Sequence, residues 1–191
     1  MNVHSPADRK SEPDRKGFSR RTAIVTVSDR GARGERKDAS GPVLEERLFE
    51  EGYQVCFKEV VPDEVEAVSN ILKRLSDEEE MALILTTGGT GLAPRDVTPE
   101  ATLAVLDRTV PGMGEAMRAA SLTKTPHAMI SRAVAGVRGM TLIVNLPGSP
   151  KGAVENLEVL LPALPHALDK IQGDPSECAA MIHEGVRGKD R

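Results

Sequence analysis

The 191-residue sequence predicts an α/β fold with three layers, a mostly parallel sheet lying between helices. Two observations predict it. Short apolar runs rich in β-branched residues alternate along the chain with stretches of helical spacing. Strands separated by helices of this length imply parallel pairing, with both faces of the sheet covered.

Each element has its own local reason. "TAIVTV" (22–27) reads as a buried strand that runs directly into "SDRG". "ASGPVLEERLFEEG" (39–52) carries helix punctuation, with Ser40 placed as an N-cap, Pro42 in the first turn and Gly52 past the end. "YQVCFKEVV" (53–61) alternates like a strand, and 62–79 puts Val65, Val68, Ile71, Leu72 and Leu75 on one helical face. "MALILTT" (81–87) is the next strand. "TPEATLAVLD" (98–107) is the next helix, with Thr98 as its N-cap and Pro99 at its first position. "PGMGEAMRAASL" (111–122) is helical, "TKTPHAMISR" irregular, and 133–146 reads as two short strands joined through Arg138-Gly139. A last helical region, 152–173, is interrupted by Pro162 and Pro165. The polar, charged residues 1–20 read as a disordered arm, 21–173 as the folded domain and 174–191 as a flexible tail.

Composition narrows the function. A net charge of −4 argues against a dedicated nucleic-acid binder, and 2% aromatics with no Trp leave no stacking platform for single strands. The two cysteines, Cys56 and Cys178, form no CxxC pair, so neither a disulfide framework nor a cysteine metal site is expected. Cys56 reads as a small buried residue and Cys178 as an incidental thiol. No stretch has transmembrane length and no signal-peptide core follows Met1, so no membrane role and a cytoplasmic location are expected. His127 and His166 show no paired ligand spacing and read as surface or core residues. Met113, Met117, Met129 and Met140 read as core filler, and 77–80 ("DEEE") as a solvated helix end.

Three predicted strands share one chemistry at their ends: "IVTV-SDRG", "LILTT-GGTG" and "LIVNL-PGSP". In open parallel sheets ligands gather at the carboxyl ends of the strands. Exits rich in Gly, Ser, Thr and Pro bare their backbone N–H groups, and such arrays attract anions. The pattern points to a phosphate-bearing ligand, although "GGTGLA" is neither a dinucleotide fingerprint nor a Walker loop.

Two aspartates stand beside these exits. Asp96 precedes "VTPEAT" without being needed to cap it. Facing a phosphate it would require an intervening cation such as Mg²⁺; the alternative is an Asx-turn. Asp63 has capping-box spacing to Glu66, so local pattern alone makes it a helix cap.

Residues 20–173 resemble the MogA-type molybdopterin adenylyltransferases of the MogA/MoaB family, which include the G domain of gephyrin. The resemblance rests on "TVSD", "DASGP", "VVPDE", "LTTGGTGLAPRDVTPEAT", "PGM", "MISR", "GVRGMTLIVNLPGSPKG" and "LPALPHALD", in that order. It implies a molybdopterin-binding-type fold assembled as a homotrimer. It also implies transfer of AMP from MgATP to molybdopterin, with pyrophosphate released and the product passed to a molybdate-insertion protein. The critical aspartates of its "PDE" and "RDVTP" motifs fall on Asp63 and Asp96, implied to act in catalysis and to hold Mg²⁺. Gly88, Gly89, Thr90 and Gly91 are implied to bind substrate, with Ser28, Asp29 and Ser40 beside them. Ser131, Arg132, Asn145, Pro147 and Gly148 match motifs lining the same pocket. Ser149 stands where the family varies. Three rival readings are a MoaB-like module that binds molybdopterin without catalysis, a nucleotide pyrophosphatase related to the competence-damage protein, and a gephyrin-like scaffold. The first calls for loss of a critical aspartate, the second for a different glycine loop and the third for a second domain.

Overall fold

The computed structural model describes residues 20–175. Most of the predicted arm and nearly all of the predicted tail, including Cys178, lie outside the described residues. The order is β1 (Arg21–Val27), α1 (Asp29–Ala32), α2 (Ser40–Glu50), β2 (Gln54–Val61), α3 (Val65–Asp77), β3 (Leu83–Thr87), α4 (Thr98–Leu103), β4 (Arg108–Thr109) and α5 (Pro111–Leu122). A 3₁₀ turn over Pro126–Ile130, β5 (Ala135–Arg138), β6 (Thr141–Leu146), α6 (Pro150–Leu160) and α7 (Leu164–Ile171) complete it.

The six strands lie in the order β2-β1-β3-β6-β5-β4. β2, β1, β3 and β6 are parallel, and β5 runs antiparallel to β6 through the Arg138-Gly139 turn. Gly139 takes φ 53, a conformation that glycine adopts without the Cβ penalty of other residues. Helices cover both faces. Leu44 and Leu48 of α2, Met117 of α5, Leu157 of α6 and Leu164 and Leu168 of α7 pack against Ile24, Leu83, Leu85 and Leu142. On the other face Val68, Ile71, Leu72 and Leu75 of α3 meet Ala23, Val25, Ile84 and Ile143. Alternate residues of β1 and β3 thus serve opposite layers, and each fully buried Leu or Ile contributes roughly 1.5–3 kcal/mol relative to exposure.

Several local expectations are corrected. The α4 helix ends at Leu103 instead of continuing to Asp107. Ser40 does not cap α2; the Asp38 carboxylate does, accepting from the N–H groups of Ser40 and Gly41 at 3.0 Å. Cys56 is exposed, because β2 is an edge strand with only one neighbour. Of the four methionines read as core filler, Met117 is fully buried and Met113 packs partly buried against the core, while Met129 and Met140 are exposed.

Candidate active site

Parallel register places the exits of the four parallel strands side by side. Val27 pairs with Val61, Thr26 with Thr87, and Thr87 with Leu146. The chain goes to opposite sides of β1 to form β2 and β3, so the crevice between β1 and β3 is a topological switch point of the sheet. Ser28-Asp29, Pro62-Asp63, Gly88-Gly91 and Pro147-Ser149 all emerge along this edge.

The glycine turn fits closely. A Cβ on Gly88 would lie 2.3 Å from the Val27 carbonyl oxygen, and Gly88 has φ 103. A Cβ on Gly89 would lie 2.3 Å from Thr98 Oγ1 and 3.1 Å from Asp63 Oδ1; one on Gly91 would lie 2.8 Å from Asp96 Oδ2. The turn therefore has no room for side chains, and its backbone runs against both carboxylates. The N–H groups of Gly89, Thr90 and Gly91 donate to no acceptor among the described residues. Thr98 is not an N-cap: its Oγ1 donates to the Gly88 carbonyl at 2.9 Å, and its N–H to that of Gly89 at 3.1 Å, tying α4 to the turn.

Asp63 does not form a capping box either. α3 has Glu64 at its N-cap position, with no side-chain capping bond. Asp63 Oδ2 instead accepts from the N–H of Asp29 at 2.7 Å, while the N–H of Asp63 donates to Asp29 Oδ1 at 3.1 Å. Arg95 forks onto Asp29, Nε to Oδ2 at 2.9 Å and Nη2 to Oδ1 at 2.7 Å. The Arg95 hydrogen bond holds the Asp29 carboxyl below the usual carboxylate range. Asp63 moves the other way: burial raises it, with added repulsion from Asp29 and Asp96, against the lowering pull of the Asp29 N–H. Asp96 Oδ2 accepts from the N–H of Ala93 at 2.8 Å, three residues before it, so Asp96 is bonded locally but not in the Asx-turn the sequence offered, which takes an N–H two residues on.

Two clefts flank the turn. The first, about 350 Å³, is lined by Ser28, Arg36, Lys37, Ser40, Gly88 and Gly148 among others. The second, about 300 Å³, is lined by Thr90, Gly91, Lys124, His127, Ser131 and Pro147 among others. Ser149 borders both and caps α6, accepting from Gly152 N–H at 3.2 Å. Two residues implied to line the pocket have other placements. Asn145 is wholly buried and lines neither cleft; its amide donates to Thr86 Oγ1 and Thr102 Oγ1, both at 2.9 Å. Arg132 spends its guanidinium on the carbonyls of Gly91 and Asp96 and on Glu100, bracing the glycine turn from beneath.

Comparison with known proteins decides the family. The profile described as "Probable molybdopterin binding domain" matches residues 23–166. The chain belongs to that family. It is 42% identical over 153 residues to the molybdopterin adenylyltransferase of Helicobacter pylori (strain 26695), covering 79% of this chain and 87% of that one. It is also 42% identical over 177 residues to gephyrin of Dictyostelium discoideum, covering 87% of this chain but spanning only 24% of gephyrin's length. Among solved structures, the molybdopterin biosynthesis enzyme MoaB of Thermus thermophilus superposes with a TM-score of 0.77 at 55% identity, covering 84% of this chain and 99% of that one.

As a member of the molybdopterin-binding family, the chain can be tested for a cation site by its donor set. Asp63 and Asp96 each keep Oδ1 without a hydrogen bond among the described residues, and both border the unpaired N–H groups of the turn. No cluster of three or more His, Cys, Asp or Glu arranged for a metal occurs among the described residues. Two carboxylates suit Mg²⁺, which completes its shell with water and substrate phosphate oxygens. The residues fit. Sequence reasoning did not assign Asp38, Lys37 or Arg95 to the site. For Asp38 the signal was available, an Asx residue two positions before Ser40-Gly41 at a helix start.

Proposed function

We propose that this chain is a molybdopterin adenylyltransferase of molybdenum cofactor biosynthesis, joining molybdopterin to the AMP moiety of ATP with release of pyrophosphate. The observation that carries the reading is the glycine turn. Three unpaired N–H groups stand between two clefts, with the half-buried carboxylate of Asp63 on one side and that of Asp96 on the other. The relatives named molybdopterin adenylyltransferase align over most of their own length. The retained aspartates favour catalysis over the MoaB-like binding module.

A terminal phosphate oxygen of molybdopterin attacks the α-phosphorus of ATP, and the bond to pyrophosphate breaks. The attacking monoester is ionised at neutral pH, so no general base is required. The protein's task is alignment and charge compensation. Mg²⁺ held by Asp63 and Asp96 would neutralise polyphosphate charge. The N–H groups of Gly89, Thr90 and Gly91 orient phosphate oxygens, Arg132 fixes that turn, and Lys37 offers a cation in the first cleft, whereas Lys124 in the second is paired with Glu155 at 3.1 Å. No helix among the described residues is long and apolar enough to cross a membrane. A cytoplasmic enzyme, assembled as a homotrimer and delivering its product to a molybdate-insertion protein, completes the reading. Exposed Leu92, Met129 and Ile130 supply apolar surface for such assembly.

The test is to incubate purified protein with molybdopterin and ATP and follow pyrophosphate and adenylylated pterin. Product that requires Mg²⁺ supports the reading. Tight pterin binding without product, beside an active control, would replace it with the binding module.

A further inference from the structure

Three carboxylates meet at the glycine turn: Asp29 and Asp63 exchange hydrogen bonds with each other's backbone N–H, and Asp63 and Asp96 border Gly89 and Gly91. Yet the three are not equivalent. Both oxygens of Asp29 are occupied by the Arg95 fork, and one of them also accepts from Asp63 N–H. Asp63 and Asp96 each retain an oxygen with no partner among the described residues. The Arg95 side chain is 59% exposed, so its placement is set by this fork and by Glu64 at 3.9 Å, not by packing.

We infer that Arg95 is the site's built-in counter-cation: by forking onto Asp29 it withdraws that carboxylate from the metal-binding set, so that a divalent cation meets two free carboxylates and not three. The inference rests on the proposed function only through the cation held by Asp63 and Asp96. Arg95 is a positioning residue in this account, acting on the cation through Asp29. Tuning in this direction has a chemical use. A cation bound by three carboxylates would be held tightly with less need of phosphate; one bound by two would depend on the polyphosphate to complete its shell.

The charges give the two single variants opposite signs. In Arg95→Gln the Asp29 carboxylate loses its compensation and adds to the attraction for the cation. In Asp29→Asn the amide oxygen can still accept from Asp63 N–H, but Arg95 is left as an uncompensated positive charge nearby. Mn²⁺ serves as the probe, with free ion followed by electron paramagnetic resonance at low ionic strength and folding checked by thermal melting. Arg95→Gln should tighten Mn²⁺ binding roughly three- to tenfold, as expected for one unit of charge acting across a solvated site. Asp29→Asn should weaken it by a similar factor, the double variant should return it to near the wild-type value, and Arg95→Lys should leave it little changed. A merely structural role for the fork would weaken binding in every variant, and that pattern overturns the inference. So does an Arg95→Gln protein that binds as the wild type does, or tightening that persists in the double variant. Should Arg95→Gln fail to fold, a gain or no change in Asp29→Asn is enough to reject it. Wild-type protein that takes up no Mn²⁺ overturns the metal reading itself, and the inference with it; intact uptake with unmoved variants removes the inference alone.

Discussion

Asp29 and Asp63 each accept a hydrogen bond from the other's backbone N–H, at 2.7 and 3.1 Å, and this exchange ties the exits of β1 and β2 together. It explains why Asp63 faces the glycine turn instead of capping α3. The strand exit holds its carboxylate by a long-range bond that outweighs the local helix-start pattern.

Asp63→Asn and Asp96→Asn preserve side-chain shape while removing charge. Each should lower adenylylation at least ~10²-fold, as loss of an electrostatic element aimed at the reacting phosphates does, with molybdopterin binding retained. Steady-state turnover and pterin titration on the same preparations measure both quantities. Normal turnover in either variant would refute the role given to that carboxylate.

Gly88→Ala should fold poorly. Its Cβ would meet the Val27 carbonyl at 2.3 Å with φ at 103, so the turn or β1 must move. A cost of about 2 kcal/mol or more is expected from strain of this kind, seen as a lowered denaturation midpoint in urea.

Asn145→Ala should act on stability and not on ligand affinity. The substitution strips the hydroxyls of Thr86 and Thr102, both wholly buried, of their shared donor. About 1–3 kcal/mol of stability should be lost, with the KM for molybdopterin unchanged. A raised KM with unaltered stability would instead return Asn145 to the pocket.

The Arg138 fork on Asp77, at 2.9 and 2.6 Å, links β5 to the end of α3 and holds the Asp77 carboxyl below its usual range. A carboxylate whose folded value is depressed adds stability above its unfolded value and loses that contribution as pH falls through the folded one. Asp77 is 46% exposed, so screening limits the pair to about 0.5 kcal/mol. Asp77→Asn should therefore be slightly less stable than wild type at neutral pH, the difference closing on acidification below about pH 4, where both carry an uncharged side chain. Denaturation midpoints across that range check the sign.

Legibility followed the range of the interaction concerned. The α5 helix was predicted at 111–122 and found at Pro111–Leu122, because proline at its start and a regular apolar period are local signals. The three small-residue exits could be read, and parallel order does set them side by side. Ser40, Asp63 and Thr98 each carried a plausible capping pattern, yet all three side chains are drawn to partners elsewhere: Ser40 Oγ donates to the Gly148 carbonyl at 2.9 Å, Thr98 to Gly88, and Asp63 accepts from Asp29. Spacing along one segment carries no information about such partners. The exposure of Cys56 depends on β2 lying at the edge of the sheet, which an apolar-polar alternation leaves open. Arg95 was visible beside Asp96, but only folding brings it to Asp29.

The strand order has a consequence for synthesis on the ribosome. β3 carries the glycine turn and lies between β1 and β6, and β6 is the last strand to be made. Thr87 Oγ1 donates to the Pro147 carbonyl at 2.7 Å, so one wall of the crevice is among the last parts of the domain translated. A nascent chain that stops short of β6 leaves β3 paired with β1 alone, its other edge open and the Pro147 wall of the crevice missing. Such a chain cannot be rescued by substrate; it depends on rapid completion, or on a chaperone, to keep Leu83–Thr87 from pairing with a neighbour.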